Sequence, residues 1–372
     1  MAVVLPKGFL VAGEASGDLL GAQLMEALKP SQARFVGIGG PMMEEEGLES
    51  LLPMHELCVM GLWEVVAQLP RLLKLIEGVV EEIEKEQPDV VVTIDLPDFN
   101  FQVAKRLKKR GIYTGKIVHY VAPSVWAWRP GRAKKVAQFL DGIMCLFPFE
   151  PEYFERHKLP AKYVGHPIIR RNHKIESPAF REAYDIKPDD FVFGLYLGSR
   201  QSEIERHKGV FADAVNFMLE QNPNVQILLP TLKEVEYEAI DATKGLNVSP
   251  IIVSDSKDKW EAMRNCDLAM AVSGTVGLEL AYMNVPHVIA YKTHPITFLI
   301  VRILVKVRFA HLVNILLDKP VVPEFLQGKC KSIKIAEELM RLIKDEALMA
   351  KQKVGFHDAR RILKKGVAAN PA

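Results

Sequence analysis

Residues 9–29 decide the fold and read FLVAGEASGDLLGAQLMEALK. The four apolar residues Phe9–Ala12 are typical of a buried strand, and the loop Gly13–Asp18 follows them directly. The stretch Leu19–Lys29 then repeats its apolar residues with the period of a helix. A strand, a loop and a helix in this order predict a parallel α/β unit, in which Asp18 is placed to cap the helix.

The same alternation of short apolar runs and amphipathic stretches continues along the chain. The strands predicted in the first half are Phe9–Ala12, Arg34–Ile38, Val90–Ile94, Ile117–Val121 and Gly142–Leu146. The strands predicted in the second half are Val192–Leu197, Gln226–Leu229, Ile251–Val253, Leu268–Val272 and His287–Ala290. Because strands separated by helices usually pair in parallel, the fold class is α/β.

A chain of 372 residues is too long for one ordinary core, which favours two domains. Residues 165–190 are polar, contain prolines and lack apolar periodicity, as is typical of a domain junction. We therefore predict two doubly wound, Rossmann-like domains that face each other across a cleft, residues 1–170 and residues 171–345. Residues 346–372 form C-terminal helices, and their packing against the first domain stays open.

The charge content narrows the class of protein. A formal net charge of +2 argues against a general polyanion binder, so no nucleic acid is expected as a partner. The basic residues are nevertheless clustered, and each cluster is either a solvated face or a binding surface. The clusters are Lys105–Arg110, Arg129–Lys135, Arg156–Lys174 and Lys292–His311.

The cysteines and the apolar runs indicate a cytosolic protein. The cysteines lie far apart without C-x-x-C spacing, which argues against zinc and disulfides and fits a reducing compartment. The first residues are interpreted as a buried strand and not as a signal peptide. No run of 18 uncharged apolar residues occurs, so no spanning helix is predicted.

Two loops of the second half are typical of a nucleotide-diphosphate site, because ligands of such sheets bind beyond the carboxyl ends of the strands. Gly198-Ser-Arg200 is followed by Ser202-x-x-Glu205, a capping-box pattern that marks a helix start. Ser273-Gly-Thr275 opens a helix that carries Glu279, whose carboxylate suits ribose hydroxyls. Helix amino ends and Arg200 together stabilise a diphosphate without a metal. The alternative is that the serines only cap helices and that Arg200 forms a surface ion pair.

The segment Ile94-Asp-Leu-Pro-Asp-Phe-Asn100 places Asp95 and Asp98 after an apolar strand. A carboxylate in this position acts as a general base if partial burial raises its pKa. The alternative is that both carboxylates cap the next helix, a role for which Asp98 is the better candidate. No D-x-D pair follows a strand in the second half, so metal-held phosphates are not expected.

Two further observations concern cofactors and aromatic residues. Neither Gly13–Asp18 nor Gly37–Met42 matches G-x-G-x-x-G, which disfavours a nicotinamide dehydrogenase. In the segment His119–Arg129, Trp126 and Trp128 share one face if the chain is extended. Core packing is the ordinary fate of such tryptophans, but this loop suggests a platform for a sugar or lipid.

Two stretches favour a membrane surface. Residues 62–80 carry an apolar stripe, and Trp63, Leu75 and Val79 fall outside it without an obvious core to face. Residues 298–307 contain Arg302 and Lys306 and resemble a basic amphipathic helix. A fully buried helix is the alternative for the first stretch. Together the two stretches favour reversible binding to a membrane surface.

Eight motifs, taken together and in this order, resemble the lipid-A-disaccharide synthases across nearly the whole chain. They are GEASGD at 13–18, MGLWE at 60–64, IDLPDFN at 94–100, HYVAPSVWAWR at 119–129, FPFE at 147–150, VGHP at 164–167, GSR at 198–200, and SGT at 273–275 with Glu279. GEASGD and FPFE are highly specific, whereas SGT alone is not. One departure is Leu195-Tyr-Leu-Gly198, where the family more often has a proline before the glycine.

The resemblance implies a GT-B glycosyltransferase of family 19 without a cofactor, with an acceptor-lipid domain first and a UDP-sugar-binding domain second. The implied reaction joins UDP-2,3-diacylglucosamine to 2,3-diacylglucosamine-1-phosphate (lipid X) by one inverting displacement, giving the β-1,6-linked lipid A disaccharide phosphate and UDP. The implied location is cytoplasmic and peripheral to the inner membrane of a Gram-negative cell. A homodimer is left open.

The resemblance also implies roles for individual residues. The catalytic candidates are Asp95 as the base, with Glu14, Ser16 and Asp98. The UDP-binding candidates are Gly198, Ser199, Arg200, Glu203, Ser273, Gly274, Thr275, Glu279, Asn314 and Gln327. The acceptor or lipid candidates are His119, Ser124, Trp126, Trp128 and Arg129. The membrane candidates are Trp63, Leu75, Val79, Arg302 and Lys306, and no metal ligand is expected.

Two other classes of function compete with this prediction. One is a different GT-B enzyme, either the lipid-linked GlcNAc transferase of peptidoglycan assembly or a non-hydrolysing UDP-GlcNAc 2-epimerase. The Trp-Ala-Trp-Arg loop at 126–129 and the absence of that transferase's Gly-rich first loop disfavour both. The other is a lipid-binding scaffold without catalysis, which the Asp95 loop disfavours.

Overall fold

The computed structural model describes residues 6–57, 62–170, 178–222, 224–255, 258–294, 298, 305 and 307–366, with the backbone alone at 62–68 and 178. The chain forms two compact units. The first comprises Met1–Pro167 together with Leu363–Ala372, and the second comprises Ile168–Ile362. The boundary lies within three residues of the position predicted from the polar junction. The membrane candidates Arg302 and Lys306, and the side chain of Trp63, lie outside the described residues.

The first unit contains a parallel sheet of seven strands in the order β3-β2-β1-β4-β5-β6-β7. Its strands are β1 (Lys7–Ala12), β2 (Arg34–Ile38), β3 (Glu49–Ser50), β4 (Val90–Ile94), β5 (Lys116–Tyr120), β6 (Gly142–Cys145) and β7 (Ala161–Tyr163). Its helices are α1 (Ala15–Leu28), α2 (Pro41–Glu45), α3 (Leu62–Glu86), α4 (Pro97–Arg110), α5 (Gly131–Val136) and α6 (Pro151–Glu155).

Alternate residues of β1 enter two different cores. Phe9 and Val11 pack in a cluster with α3 and α4, whereas Leu10 and Ala12 pack in a second cluster with α1. Successive side chains of a strand point to opposite faces, so helices cover both faces of this sheet. This double burial explains why the strand is a continuous apolar run and not an alternating one.

The second unit contains a parallel sheet of six strands in the order β10-β9-β8-β11-β12-β13. Its strands are β8 (Phe191–Tyr196), β9 (Val225–Pro230), β10 (Ile251–Val253), β11 (Leu268–Val272), β12 (His287–Tyr291) and β13 (Glu324–Leu326). Its helices are α7 (Pro178–Ala183), α8 (Gln201–Gln221), α9 (Glu236–Ala242), α10 (Lys259–Arg264), α11 (Thr275–Tyr282), α12 (Leu312–Leu317), α13 (Ser332–Lys344) and α14 (Glu346–Lys364).

The ten predicted strands are confirmed to within two residues at each end, and the α/β class with two doubly wound sheets is confirmed. Three strands were not predicted, namely β3, β7 and β13. Each is two or three residues long and lies at a sheet edge. Unlike the equally short edge strand β10, whose residues Ile251–Val253 are all apolar, each of the three contains a charged residue and therefore lacks the continuous apolar run that marks a strand.

Helix α3 corrects the prediction about its faces. Val79, expected to face a membrane, is only 3% exposed and belongs to the core, and Leu75 packs partly against the same core. The apolar stripe predicted in residues 62–80 consists of residues 62, 65, 66, 69, 72, 73, 76 and 80, yet Leu69 and Leu73 are 48% and 44% exposed. The helix spans Leu62–Glu86, and its buried face includes Ile76, Val79 and Ile83. Leu69 and Leu73 therefore lie on the exposed face of α3.

Candidate functional site

The first candidate site lies where the strand order of the first sheet reverses direction. β1 pairs with β4 so that Ala12 lies opposite Ile94, and the loops that follow the two strands are therefore neighbours. They pack tightly, because a Cβ added to Gly13 would lie 2.6 Å from the Leu96 Cδ2. Glu14 immediately precedes α1 and Ser16 lies in its first turn, and both are exposed at this edge. The sheet thus brings Glu14 and Ser16 to the same edge as Asp95.

Asp18 anchors this edge in a way that the sequence did not predict. Its carboxylate does not cap its own helix; it accepts hydrogen bonds from the backbone N–H groups of Gly40, Met42 and Met43 at 2.9, 3.0 and 3.0 Å. Asp18 is 3% exposed, so these bonds compensate for its burial. The carboxylate therefore caps the amino end of α2 from α1.

Asp95 occupies a strained loop between β4 and α4. Asp95 and Leu96 both adopt left-handed backbone conformations, with φ of 50° and 42°. The Asp95 N–H donates to the Tyr120 carbonyl at 2.9 Å, and the buried Asn100 side chain donates to the Asp95 carbonyl at 2.8 Å. Burial raises the pKa of the Asp95 carboxyl, and a backbone hydrogen bond from Leu96 opposes this in part. Strain at a half-buried carboxylate is typical of a functional site.

Asp98 differs sharply from Asp95. Its side chain is fully exposed in the first turn of α4, and one oxygen lies 3.3 Å from the Arg132 guanidinium. Among the carboxylates of this loop, Asp95 therefore has the environment that a general base needs, and Asp98 has that of a surface ion pair.

The tryptophan loop is a turn and not an extended chain, so the predicted shared face of Trp126 and Trp128 is wrong. The N–H groups of Ala127 and Trp128 both donate to the Ser124 carbonyl, which folds the segment back. Trp128 is exposed, and the Arg129 guanidinium stacks 4.3 Å from its ring centre. Trp126 points elsewhere and is half-buried.

Glu150 holds Trp126, and its role was not predicted although its FPFE motif was noted. One carboxylate oxygen accepts from the Trp126 Nε1–H at 3.0 Å, and the other accepts from the N–H groups of Leu146 and Phe147 at 3.0 and 2.9 Å. Glu150 is 2% exposed, and burial raises its pKa to about 7. Its signal in the sequence was an acid five residues after the end of strand β6, whereas Asp95 follows β4 directly.

His119 is not a surface ligand of lipid, which corrects its prediction. The side chain is fully buried, its Nδ1 lies 2.8 Å from the Thr93 hydroxyl, and its ring packs edge-on against Phe101. Burial lowers the pKa of His119 to about 3. His119 is the second-last residue of β5, and its side chain points into the core. It therefore supports the following loop by packing in the core.

The second candidate site lies at the matching point of the second sheet, between β8 and β11. Gly198 adopts a φ of 112°, which favours glycine, and the Ser199 N–H donates weakly to Glu203 at 3.4 Å. Arg200 is 70% exposed and lies 3.6 Å from Glu203. The predicted capping box is wrong, because α8 begins at Gln201 and Ser202 lies inside it. Arg200 is the residue before the helix and makes no side-chain cap, which leaves the first N–H groups of α8 open to an anion.

The loop after β11 repeats this arrangement. β11 pairs with β8 through Ala271 and Tyr196, so the two loops are neighbours. Gly274 precedes α11 without a side-chain cap, and Ser273 and Thr275 flank it. Glu279 is partly buried and pairs with Lys259 at 2.9 Å. Two uncapped helix ends thus follow the neighbouring strands β8 and β11.

Asn314 does not present its side chain to a ligand, which corrects its prediction. It is fully buried; its amide donates to the Val322 carbonyl and to Glu324, both at 2.8 Å. Its oxygen accepts from the N–H groups of Val321 and Val322, both at 2.9 Å. All its hydrogen-bonding capacity is used to hold the segment that leads into β13.

Two histidines fix the start of α12, the helix that carries Asn314. His311 Nδ1 accepts from the Val313 N–H, so its Nε2 carries the proton and donates to His287 Nε2 at 2.8 Å. His287 Nδ1 donates to the Val285 carbonyl at 2.8 Å. Burial keeps both rings neutral and lowers the pKa of His287 to about 4.

The segment after β12 is held from two sides by residues at the second site. His207 of α8 accepts from the Lys292 N–H at 2.8 Å through Nε2. Gln327 pairs with the backbone N–H and carbonyl of Thr293 at 2.9 and 3.3 Å, in the amide orientation that satisfies both groups. Gln327 was predicted from the resemblance, whereas His207 was not predicted and carries no recognisable motif.

The two sheets and their connections define the GT-B fold. Solved structures with this fold include the UDP-GlcNAc 2-epimerase of Neisseria meningitidis bound to UDP-GlcNAc, with a TM-score of 0.62 at 10% identity, covering 96% of this chain and 98% of that one. Another is MurG of Acinetobacter baumannii, with a TM-score of 0.54 at 11% identity, covering 98% and 97%. These likenesses establish the fold alone.

The chain belongs to the lipid-A-disaccharide synthase family, glycosyltransferases of lipid A biosynthesis. The family model described as lipid-A-disaccharide synthetase matches residues 8–371. The lipid-A-disaccharide synthase of Rhodospirillum centenum is 41% identical over 362 residues, which cover 96% of this chain and 90% of the relative. That of Paramagnetospirillum magneticum is 42% identical over 363 residues, covering 96% and 92%.

The buried Glu150 gives a prediction about stability and pH. Since its folded pKa of about 7 lies above the ordinary 4.5, the folded protein keeps a proton that the unfolded chain releases between these values. Ionisation of Glu150 therefore lowers the free energy of unfolding as pH rises through this window. Glu150→Gln lacks the charge. The melting temperature of the variant minus that of the wild type should therefore increase from pH 4.5 to 7 and stay constant above pH 7.

Melting curves of both proteins between pH 4.5 and 8.5 measure this difference. A constant difference would mean that Glu150 titrates normally, and the opposite slope would mean that its three N–H donors outweigh burial. Glu152→Gln, two residues further along in α6 and exposed, is the matched control and should show no such slope.

Proposed function

We propose that this chain transfers 2,3-diacylglucosamine from UDP to the 6-hydroxyl of 2,3-diacylglucosamine-1-phosphate, with Asp95 as the general base. The observation that carries the proposal is a half-buried carboxylate of raised pKa, held in a strained loop at the switch point of the first sheet. A scaffold that only binds lipid would not require a strained carboxylate in the loop after β4. Family membership supports the substrate class.

The donor diphosphate is assigned to the second unit. The uncapped amino ends of α8 and α11 each present free N–H groups and a positive dipole end. Arg200 adds an exposed guanidinium that suits a phosphate oxygen. Because UDP leaves with its negative charge, the same groups stabilise charge that develops in the transition state. Glu279 is suited to the ribose hydroxyls, after exchange of its contact with Lys259.

The acceptor hydroxyl is assigned to Asp95. The Asp95 carboxylate takes the proton of the 6-hydroxyl as its oxygen forms a bond to the anomeric carbon of the donor. The bond between that carbon and the diphosphate breaks in the same step, which inverts the configuration of the carbon. The raised pKa makes Asp95 a stronger base than an ordinary aspartate, and activity is expected to fall as pH drops below this pKa.

Replacement of Asp95 separates chemistry from binding. Asp95→Asn keeps the size of the side chain but cannot accept the proton, so kcat should fall by about 10²-fold or more. Calorimetric UDP affinity and the melting temperature should stay unchanged. Asp98→Asn is the comparison and should lose less than about tenfold, since its carboxylate is fully exposed. A crippled Asp98→Asn beside a nearly normal Asp95→Asn would reverse the assignment.

The protein acts as a peripheral protein on the cytoplasmic face of the inner membrane. Within the described residues, no helix is long and apolar enough to cross a bilayer. Leu69 and Leu73 lie one turn apart on α3 and are both about half exposed, so their apolar surface is available to lipid. The acyl chains of both substrates also favour chemistry at a lipid surface.

Substitutions on opposite faces of α3 test the membrane face. Leu69→Ser with Leu73→Ser should reduce sedimentation with anionic vesicles while the melting temperature stays nearly unchanged, because both residues are exposed. Val79→Ser, the matched variant on the buried face, should lose about 2–4 kcal/mol of stability. Full vesicle binding by the double variant would contradict this membrane face.

A further inference from the structure

A cavity of about 390 Å³ lies between α4 and α5 of the first unit, beside the loop that carries Asp95 and the tryptophan loop. Its lining includes Lys105 on α4, Arg129 before α5, and Arg132 and Lys135 on α5. The aromatic rings of Phe101 and Phe139 also line it. The first two basic clusters of the sequence, Lys105–Arg110 and Arg129–Lys135, were each predicted to be a solvated face or a binding surface. The fold brings both clusters to one cavity.

The aromatic lining orders two of these cations. Phe101 and Phe139 are both buried and pack against each other at 5.6 Å between ring centres. The Arg132 guanidinium lies 5.1 Å from the Phe101 ring, and the Lys105 Nζ lies 5.3 Å from the Phe139 ring. Cation–π contacts hold a charge in place without neutralising it. The cavity therefore presents positive charges that are partly preorganised.

The charge of the cavity is unbalanced. Asp98 is the single carboxylate in its lining, and it contacts Arg132 at 3.3 Å. Within the described part of the chain, Lys105, Arg129 and Lys135 form no ion pair with a carboxylate. Four cations facing one carboxylate favour a ligand with about two negative charges, such as a phosphate monoester.

The cavity lies next to the proposed base, and this position bears on which phosphate monoester it would bind. Its rim includes Pro97 and Asp98, which follow the proposed base Asp95 after one intervening residue. A hexose carries its 1-phosphate within one sugar ring of its 6-hydroxyl, so a phosphate site for the acceptor must adjoin the base. We infer that Lys105, Arg129, Arg132 and Lys135 bind the phosphate monoester of the acceptor sugar, an inference that rests on the proposed function. The other source of the same chemistry is the headgroup of an anionic membrane lipid.

The test removes positive charge from the exposed part of the cavity. Lys105→Gln with Lys135→Gln should raise the acceptor KM by about tenfold or more, since each charge-assisted contact to phosphate is lost, while the donor KM stays within about twofold. With dephosphorylated acceptor, 2,3-diacylglucosamine, the double variant and the wild type should perform alike. Lys109→Gln is the matched control, because Lys109 is exposed on the same helix outside the cavity.

An equal loss with both acceptors, or no loss with either, would overturn the inference. Sedimentation with phosphatidylglycerol vesicles distinguishes the source of the phosphate. Loss of vesicle binding without loss of phosphate selectivity would overturn the acceptor assignment and favour a membrane headgroup. Calorimetry with glucosamine 1-phosphate measures the cavity without turnover. Binding that disappears in the double variant would support the inference even if the proposed reaction failed.

Discussion

The reversal of strand order in each sheet is the constraint on which the rest of the structure depends. β1 lies beside β4, and β8 lies beside β11. In each pair, the segments that follow the two strands leave toward opposite faces of the sheet. In sheets of this kind, helices that follow the two strands on opposite faces leave a crevice for ligands at the carboxyl ends of the strands. The first crevice holds Asp95, and the second holds the uncapped ends of α8 and α11.

Buried polar residues fix the conformations of the loops in the two units. Asp18, Glu150 and Asn314 each satisfy several backbone or side-chain partners while being nearly or fully buried. A buried polar group is costly unless it is fully hydrogen-bonded, so each fixes one conformation of its loop. Truncating such a residue leaves several partners unsatisfied, at a cost of about 1–3 kcal/mol for each partner. The loops are therefore rigid supports and not adaptable segments.

The sequence predicted the elements with strong local patterns and missed roles that depend on distant partners. The long apolar strands and the loops after them were recognisable because burial on both faces and glycines leave a clear pattern. The face of α3 was misassigned because the stripe of residues 62–80 contains enough apolar residues for two faces, and only packing selects Val79. Asn314 matched a family motif, but its four partners lie seven to ten residues away and decide its structural role.

The proposed reaction is tested most directly by the configuration of the new glycosidic bond and by the ratio of released UDP to disaccharide. Purified protein would be mixed with UDP-2,3-diacylglucosamine and 2,3-diacylglucosamine-1-phosphate, and the product examined by NMR spectroscopy. A single displacement assisted by Asp95 predicts a β-1,6-linked disaccharide phosphate with one UDP released for each disaccharide. An α-linked product, or UDP release that does not require the acceptor, would contradict it.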